Sequence, residues 1–138
     1  MSGQNKLPPP TPFDVALDQP QGPLPFVPRA DADGKIVWDY VVDAAHYNPY
    51  GALHGGVVMA LLDSAMGEAV ARAVHAAGRF NAAAQMSTNF LAPVMSGRLR
   101  AQAHVIKVGK RLAVVEARAT AEDGTLVAIA TATHSLLP

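Results

Sequence analysis

The residues best suited to chemistry surround a pair of glycines, Gly55 and Gly56, where a loop meets a run of helix-forming residues. The first N–H groups of a helix have no partner inside the helix, and the helix dipole adds partial positive charge there. A carbonyl oxygen that becomes an oxyanion would be stabilised at such a helix start. A plain loop-to-helix turn would explain the same two glycines.

Asp63 is the second candidate, because its carboxylate stands among apolar residues of the same helical segment. A carboxylate in such surroundings is costly unless it is paired or functional, and Asp is a poor helix former in mid-helix. Desolvation is expected to raise the pKa of Asp63, which would suit a general base or a nucleophile. A solvated or Arg-paired Asp is an equal explanation of the residue taken alone.

The spacing of these two candidates has a consequence for assembly. Gly55 and Asp63 are eight residues apart, which is about 12 Å along a helix, so they cannot touch one carbonyl group within one chain. A second copy whose helix runs antiparallel would bring its own aspartate beside the first copy's glycine. If both groups act on one substrate, the active site is shared across a two-fold interface, and the protein is a homo-oligomer.

The segments on either side predict an α+β fold. Residues 57–78 are dominated by Ala, Leu and Met and predict one helix, apolar on nearly every side, that other structure must wrap. Strands are predicted at 35–43, 81–94, 97–109, 111–123 and 125–137, with tight turns at Gly109-Lys110 and Asp123-Gly124. An antiparallel sheet wrapped around one long central helix is the hotdog arrangement, and this is the predicted fold.

The N-terminal part of the chain is rich in proline. Residues 1–12 are expected to form a poorly ordered tail, because proline fixes φ and supplies no N–H. Residues 13–138 are then the single hotdog domain. Its first part, 13–30, still carries four prolines, which favours an irregular segment or a short edge strand over a central strand.

Composition excludes several classes of function. Lys plus Arg and Asp plus Glu number 11 each, so the excess positive charge that generic nucleic-acid binding requires is missing. There is no cysteine, and the five histidines lack the spacing of a zinc site, so neither a metal nor another cofactor is expected. The N-terminus lacks the apolar core of a signal peptide, and no apolar run is long enough to span a bilayer. A cytoplasmic protein without a membrane partner is predicted.

Longer motifs carry a family resemblance over about residues 35–138. The pattern Asn48-x-x-Gly51-x-Leu53-His54-Gly55-Gly56, followed by Leu62-Asp63-Ser64-Ala65-Met66-Gly67, resembles the phenylacetate-degradation type of hotdog thioesterase. That type belongs to the 4-hydroxybenzoyl-CoA thioesterase superfamily. The segment Asn89-Phe90-Leu91-Ala92-Pro93-Val94 and the hairpin Val108-Gly109-Lys110-Arg111 resemble it as well.

The resemblance implies roles for the matching residues. Asp63 would be the catalytic carboxylate that attacks an acyl-CoA thioester or activates water, and the Gly55 N–H would bind the thioester oxygen. Asn48 would place the substrate or the water, and His54 would shape the loop. The site would be built from two subunits of a homotetramer made of two dimers. The residues expected to contact substrate are Gly56, Met66, Gly67, Phe90, Lys110 and Arg111, the last two through the CoA phosphates.

Two departures from the family pattern keep other functions open. Ala92 stands where the family often has a basic residue, and Ala83 falls where some members have a hydroxyl. The leading prediction is hydrolysis of an aryl or short-to-medium-chain acyl-CoA to the free acid and CoA. A hotdog enoyl dehydratase or hydratase would instead use His54 and Asp63 as an acid–base pair. A non-catalytic acyl-CoA-binding protein is the third possibility.

Overall fold

A computed structural model describes residues 15–138; the predicted tail at 1–12, and residues 13 and 14, lie outside the described residues. One long helix, α1 (Gly55–Val74), follows the strands β1 (Val27–Ala30) and β2 (Ile36–Val41). After it come β3 (Phe80–Phe90), β4 (Arg98–Val108), β5 (Leu112–Ala121) and β6 (Leu126–Leu137). Short 3-10 turns at Ala44–His46 and His75–Ala77 complete the regular elements of this range.

The six strands form one antiparallel sheet in the order β1-β2-β4-β5-β6-β3, with α1 packed across its inner face. This confirms the predicted hotdog arrangement. β1, which contains Pro28, is the short edge strand that the prolines indicated. β3 follows the helix directly in the chain but forms the other edge, where β6 is its one neighbour among the described residues.

The core lies between α1 and the inner face of the sheet. Helical spacing buries one side of α1, which contributes Val58, Leu61, Leu62, Ala65, Met66, Val70 and Val74. Strand alternation turns a set of alanines toward them: Ala101, Ala113, Ala117, Ala119, Ala128, Ala130 and Ala132. These short side chains let the sheet approach the helix closely and fill the core at high density.

Specific contacts set the ends of the elements. The helix begins at Gly55, the first of the two glycines expected to open it, because the His54 side chain caps it. Gly78 ends the helical region with φ 64°, the left-handed conformation that glycine adopts readily at the end of a helix. β3 stops at Phe90, four residues before its predicted end, because the Leu91 N–H turns to the Val127 carbonyl oxygen.

Candidate active site

The start of α1 is built so that one backbone N–H remains available. His54 Nδ1 accepts the Gly56 N–H at 2.9 Å, and the His54 carbonyl oxygen accepts the N–H groups of Val57 and Val58. The Gly55 N–H has no acceptor among residues 15–138. Of the two glycines singled out by the sequence, Gly55 therefore offers the donor, and the Gly56 N–H is already used by the cap.

Asn48 is held by its own loop in a way that leaves its amide nitrogen unused. Its Oδ1 accepts the Tyr50 N–H at 2.9 Å and the Ala52 N–H at 3.2 Å. Gly51 completes the turn at φ 82°, where a residue with a side chain would be strained. With the oxygen committed, Asn48 Nδ2 has no acceptor within residues 15–138 and is a second potential donor.

These two donors share one cleft of about 380 Å³. Phe90, half exposed at the end of β3, forms a wall beside Gly55. The rest of the lining is mostly apolar: Ala52, Leu53, Val58, Leu91, Ala92, Pro93, Val94 and Val127. The fold thus brings together Asn48, Gly55 and Phe90, three of the residues predicted from the sequence. An apolar cleft lined by residues with two unused N–H donors can hold a carbonyl oxygen on an otherwise apolar ligand.

Asp63 does not line this cleft. It lies two turns further along α1, on the side of the helix away from the core, and is exposed in the chain. The expected burial of its carboxylate is therefore not provided by residues 15–138 of its own chain. Gly67, one turn beyond Asp63, shares that side and is partly exposed. The residue between them that was expected to contact substrate, Met66, is fully buried in the core, and this expectation is corrected.

The edge strand β3 runs past the exposed side of α1. Its end at Phe90 packs on Gly55, and near its beginning the Asn81 side chain donates to the Gly67 carbonyl oxygen at 3.4 Å. The outward edge of this 11-residue strand has no strand beside it within the described part of the chain. Such an edge presents unpaired N–H and C=O groups that can pair with a second strand.

Lys110 and Arg111 lie at the other end of the sheet from Gly55. The Arg111 carbonyl oxygen accepts the Leu136 N–H at 2.8 Å, and Leu136 pairs with Asn81 near the beginning of β3. Phe90 at the far end of that strand is about 30 Å away at the usual rise per residue. Within one chain these two cations therefore cannot bind the ligand that contacts Gly55.

One buried titratable residue whose ring is acted on by the Asp63 charge was not selected from the sequence, where it was considered only for zinc spacing. His134 on β6 is 1% exposed, and burial lowers its pKa, while the Asp63 carboxylate acts in the opposite direction. The alternation Ala128, Ala130, Ala132, His134 would have placed it on the inner face. A polar residue in an inward register is the signal that was available.

A larger cleft, of about 770 Å³, lies elsewhere. It covers polar residues of the outer face of the sheet, among them Gln102, His104 and Glu116, and extends to Glu68 and Arg72 on α1. It contains none of the predicted site residues. Its lining mixes charged and polar side chains of both signs with apolar ones, and the smaller cleft, which holds Gly55 and Asn48, is the better candidate for carbonyl chemistry.

The described residues offer no metal site and no membrane span. No group of three or more His, Cys, Asp or Glu side chains in residues 15–138 is arranged to hold a metal ion. Nor does any helix of that range have the length and apolar character needed to cross a membrane. The predicted absence of metals, cofactors and membrane partners stays a prediction.

An unpartnered N–H at the start of the central helix of a hotdog fold is the kind of donor that a thioester hydrolase needs for its oxyanion. A model of the thioesterase superfamily matches residues 50–128, and the chain belongs to that superfamily. The matched range includes Gly55, Asp63 and Phe90, while Asn48 lies two residues before it. The family predicted from the sequence motifs is thereby confirmed.

Individual relatives agree with this assignment. A candidate esterase from Caenorhabditis elegans is 34% identical over 106 residues, which are 75% of this chain and 62% of that protein. The chain therefore spans less than two thirds of that relative's length. A Bacillus halodurans protein solved with CoA has a TM-score of 0.76 at 29% identity, covering 80% of this chain and 73% of that one. A thioesterase candidate from Ralstonia eutropha, described as related to phenylacetic acid degradation, has a TM-score of 0.70 at 32% identity, covering 81% and 85%.

Proposed function

We propose that the protein is an acyl-CoA thioesterase whose active site joins Gly55 and Asn48 of one subunit to the partner subunit's Asp63. The observation that carries the proposal is the pair of unused donors, the Gly55 N–H and Asn48 Nδ2, in one apolar cleft. They would hold the thioester oxygen as it gains negative charge. The Bacillus halodurans structure with CoA supports CoA as the carrier of the acyl group.

The exposed edge of β3 offers a route to the shared site. Antiparallel pairing of two β3 strands about a two-fold axis would set the two α1 helices side by side in opposite directions. Asp63 of each subunit, exposed in its own chain, would then approach the partner's cleft and lose its contact with bulk water. The same pairing sets the Phe80 end of one strand against the Phe90 end of the other.

This arrangement also accounts for Lys110 and Arg111. Their hairpin lies at the Phe80 end of β3, so in the paired dimer it would lie on the side of the partner's Gly55. The two cations are then candidates for the CoA phosphates of the partner's substrate. Gly67, on the exposed side of α1, remains a candidate for contact with the acyl group. A homotetramer of two such dimers, acting in the cytoplasm, is the proposed working form.

The proposed reaction is the hydrolysis of the acyl-CoA thioester by water. Water attacks the thioester carbon while Asp63 takes its proton, or Asp63 attacks first and water hydrolyses the resulting anhydride. The C–S bond breaks, the CoA sulfur receives a proton, and the free acid leaves. An aryl or short-to-medium acyl chain suits a cleft of about 380 Å³ lined by apolar residues. Ala83 and Ala92 stand where other family members have polar residues. These two differences do not affect the two donors or Asp63.

The hydratase alternative requires a free imidazole, and His54 has one nitrogen committed. Its Nδ1 accepts the Gly56 N–H, so only Nε2 could take part in acid–base chemistry. A direct comparison of thiol release from saturated acyl-CoAs with hydration of an enoyl-CoA separates the two reactions. Hydration without thiol release would replace the thioesterase proposal.

The central experiment is a thiol-release screen over aryl and short-to-medium acyl-CoAs with wild type and Asp63→Asn. General base catalysis contributes about 100- to 10,000-fold, so a kcat loss of that order is expected in the variant. Asp33→Asn, in the exposed loop between β1 and β2, is the matched control and should keep wild-type activity. Tight acyl-CoA binding without turnover in wild type would identify a binding protein, and full activity in Asp63→Asn would refute the assignment of the base.

A further inference from the structure

The buried histidine on β6 is linked to the helical turn that begins at Asp63. His134 Nδ1 lies 2.8 Å from Asn81 Oδ1, and Asn81 Nδ2 donates to the Gly67 carbonyl oxygen. Gly67 is four residues after Asp63, so it stands on the same side of α1, one turn away. A line of hydrogen bonds thus runs from β6 through β3 to the turn that carries the proposed catalytic carboxylate.

The same contacts define which ring nitrogen carries the hydrogen in the neutral imidazole. Because Asn81 Nδ2 faces a carbonyl oxygen, its Oδ1 faces the histidine, and His134 Nδ1 must carry the hydrogen. Nε2 is then an acceptor; it is buried and has no hydrogen-bond partner among residues 15–138. Such an orphan in a packed core is rare, and it would become costlier still if it gained a proton and a charge.

Within the described range 15–138, one charged group acts on the ring. On the sheet, its register neighbours are Ala83 of β3 and Ala113 of β5, neither of which titrates. From the helix, the Asp63 carboxylate is the charge that acts on the ring. Burial lowers the pKa of His134 below its usual value near 6.5, so the ring is neutral at pH 7.

We propose that His134, held by Asn81, is a positioning residue for Asp63 and that its neutral form is the one that supports activity. The proposal rests on the thioesterase function above. Through Asn81, a neutral ring fixes the distance between β3 and the helical turn that carries Asp63. The carboxylate is then free to face the partner's cleft. A protonated ring would attract that carboxylate, whose charge acts on the ring, and would draw it away from the partner's cleft.

Two substitutions separate the hydrogen bond from the titration. His134→Asn keeps an N–H donor where Nδ1 stands but cannot gain a proton in this pH range. His134→Leu fills similar space and removes the donor to Asn81. The measurement is kcat and KM for the best acyl-CoA substrate from pH 5 to 9, with dimer content and thermal unfolding recorded for each variant. His104→Asn, on the exposed outer face of β4, is the matched control and should follow the wild-type profile.

We expect His134→Leu to lower kcat about 10- to 100-fold and to keep KM within about threefold of the wild-type value. This is the effect of a misplaced catalytic group. We expect His134→Asn to keep kcat near wild type above pH 7 and to lose less activity than wild type as the pH falls below about 6.5. Wild-type kcat in a folded His134→Leu, or an unchanged acid limb in His134→Asn, would overturn the positioning role. Full activity in Asp63→Asn would instead overturn the proposed function, so the two failures are distinguishable.

Discussion

The ring of Phe90 lies directly against Gly55 at the start of α1. A Cβ atom built on Gly55 would stand 3.2 Å from Phe90 Cζ and 3.3 Å from Phe90 Cε1, closer than most real Cβ contacts. The absence of a side chain at residue 55 therefore lets the aromatic ring close one side of the cleft without covering the backbone N–H. Glycine is needed here for close approach, not for an unusual backbone conformation.

Gly55→Ala is expected to lower kcat/KM by about tenfold or more, although alanine keeps the backbone N–H. The added methyl group must push the Phe90 ring or the helix start, and displacement of either disturbs the donor geometry. Phe90→Leu should relieve the clash, so the double variant should lose less than the two single losses combined. Strict additivity in this double-mutant cycle, measured by thiol release, would mean that the Phe90 contact does not mediate the effect.

Subunits with complementary defects should restore one another. Asp63→Asn removes the proposed base, and Asn48→Asp keeps the Oδ1 acceptor that holds the loop while removing the amide donor. If the two coexpressed variants pair at random, half of all dimers are heterodimers. Each heterodimer has one intact site out of two, so about a quarter of wild-type activity is expected. Each variant expressed alone is the control, and a mixture no more active than its parents would contradict a site shared between subunits.

Asp39 anchors the sheet on its outer face and should matter for stability. Its side chain is 4% exposed and accepts Arg100 Nε at 2.7 Å and Nη2 at 2.8 Å, with Arg29 Nε at 3.4 Å. Asp39→Asn removes the carboxylate from Arg100 and leaves Arg29 with Asp18 alone, and it should lower the free energy of unfolding by about 1 to 3 kcal/mol, because both arginines are partly solvated. Chemical denaturation at one protein concentration measures this, with the exposed Asp33→Asn expected to change it by less than about 0.5 kcal/mol.

Glu68 should make stability depend on pH in the acid range. It is 4% exposed, and burial raises its pKa above 4.5 although Arg72 Nε lies 3.0 Å from its carboxylate. The folded state holds this proton to higher pH than the unfolded chain, so the stabilisation is full below pH 4.5 and is lost as the pH rises through the raised pKa.

Glu68→Gln is therefore expected to gain stability relative to wild type as the pH rises from 4.5 to 7, by about 1.4 kcal/mol for each unit of the pKa shift. Unfolding free energies at several pH values measure the difference. The exposed Glu122→Gln is the control and should follow the wild-type curve. A constant difference between Glu68→Gln and wild type across this range would contradict the raised pKa.

Local features of the chain were sufficient to predict most of the secondary structure. The helix, five of the six strands and both hairpin turns follow from apolar periodicity and turn residues, because these depend on neighbours a few positions apart. The misplaced ends, such as the stop of β3 at Phe90, depend on a partner far along the chain, here the Val127 carbonyl oxygen. The sixth strand, β1, was left open between an irregular segment and an edge strand, since its pairing with β2 alone decides it.

By itself, the sequence determined the kind of protein: a hotdog thioesterase, with Gly55 and Asp63 too far apart along one helix to act together. The fold and the separation of the two residues follow from periodicity and rise per residue, which are properties of the local chain, and the thioesterase prediction follows from motifs that resemble the family. Only the tertiary structure decided that His54 occupies the Gly56 N–H, that Met66 faces the core, and that Asn81 and His134 meet the turn beyond Asp63. The last of these depends on the register of β3 against β6, which brings together residues 53 positions apart and cannot be obtained from spacing alone.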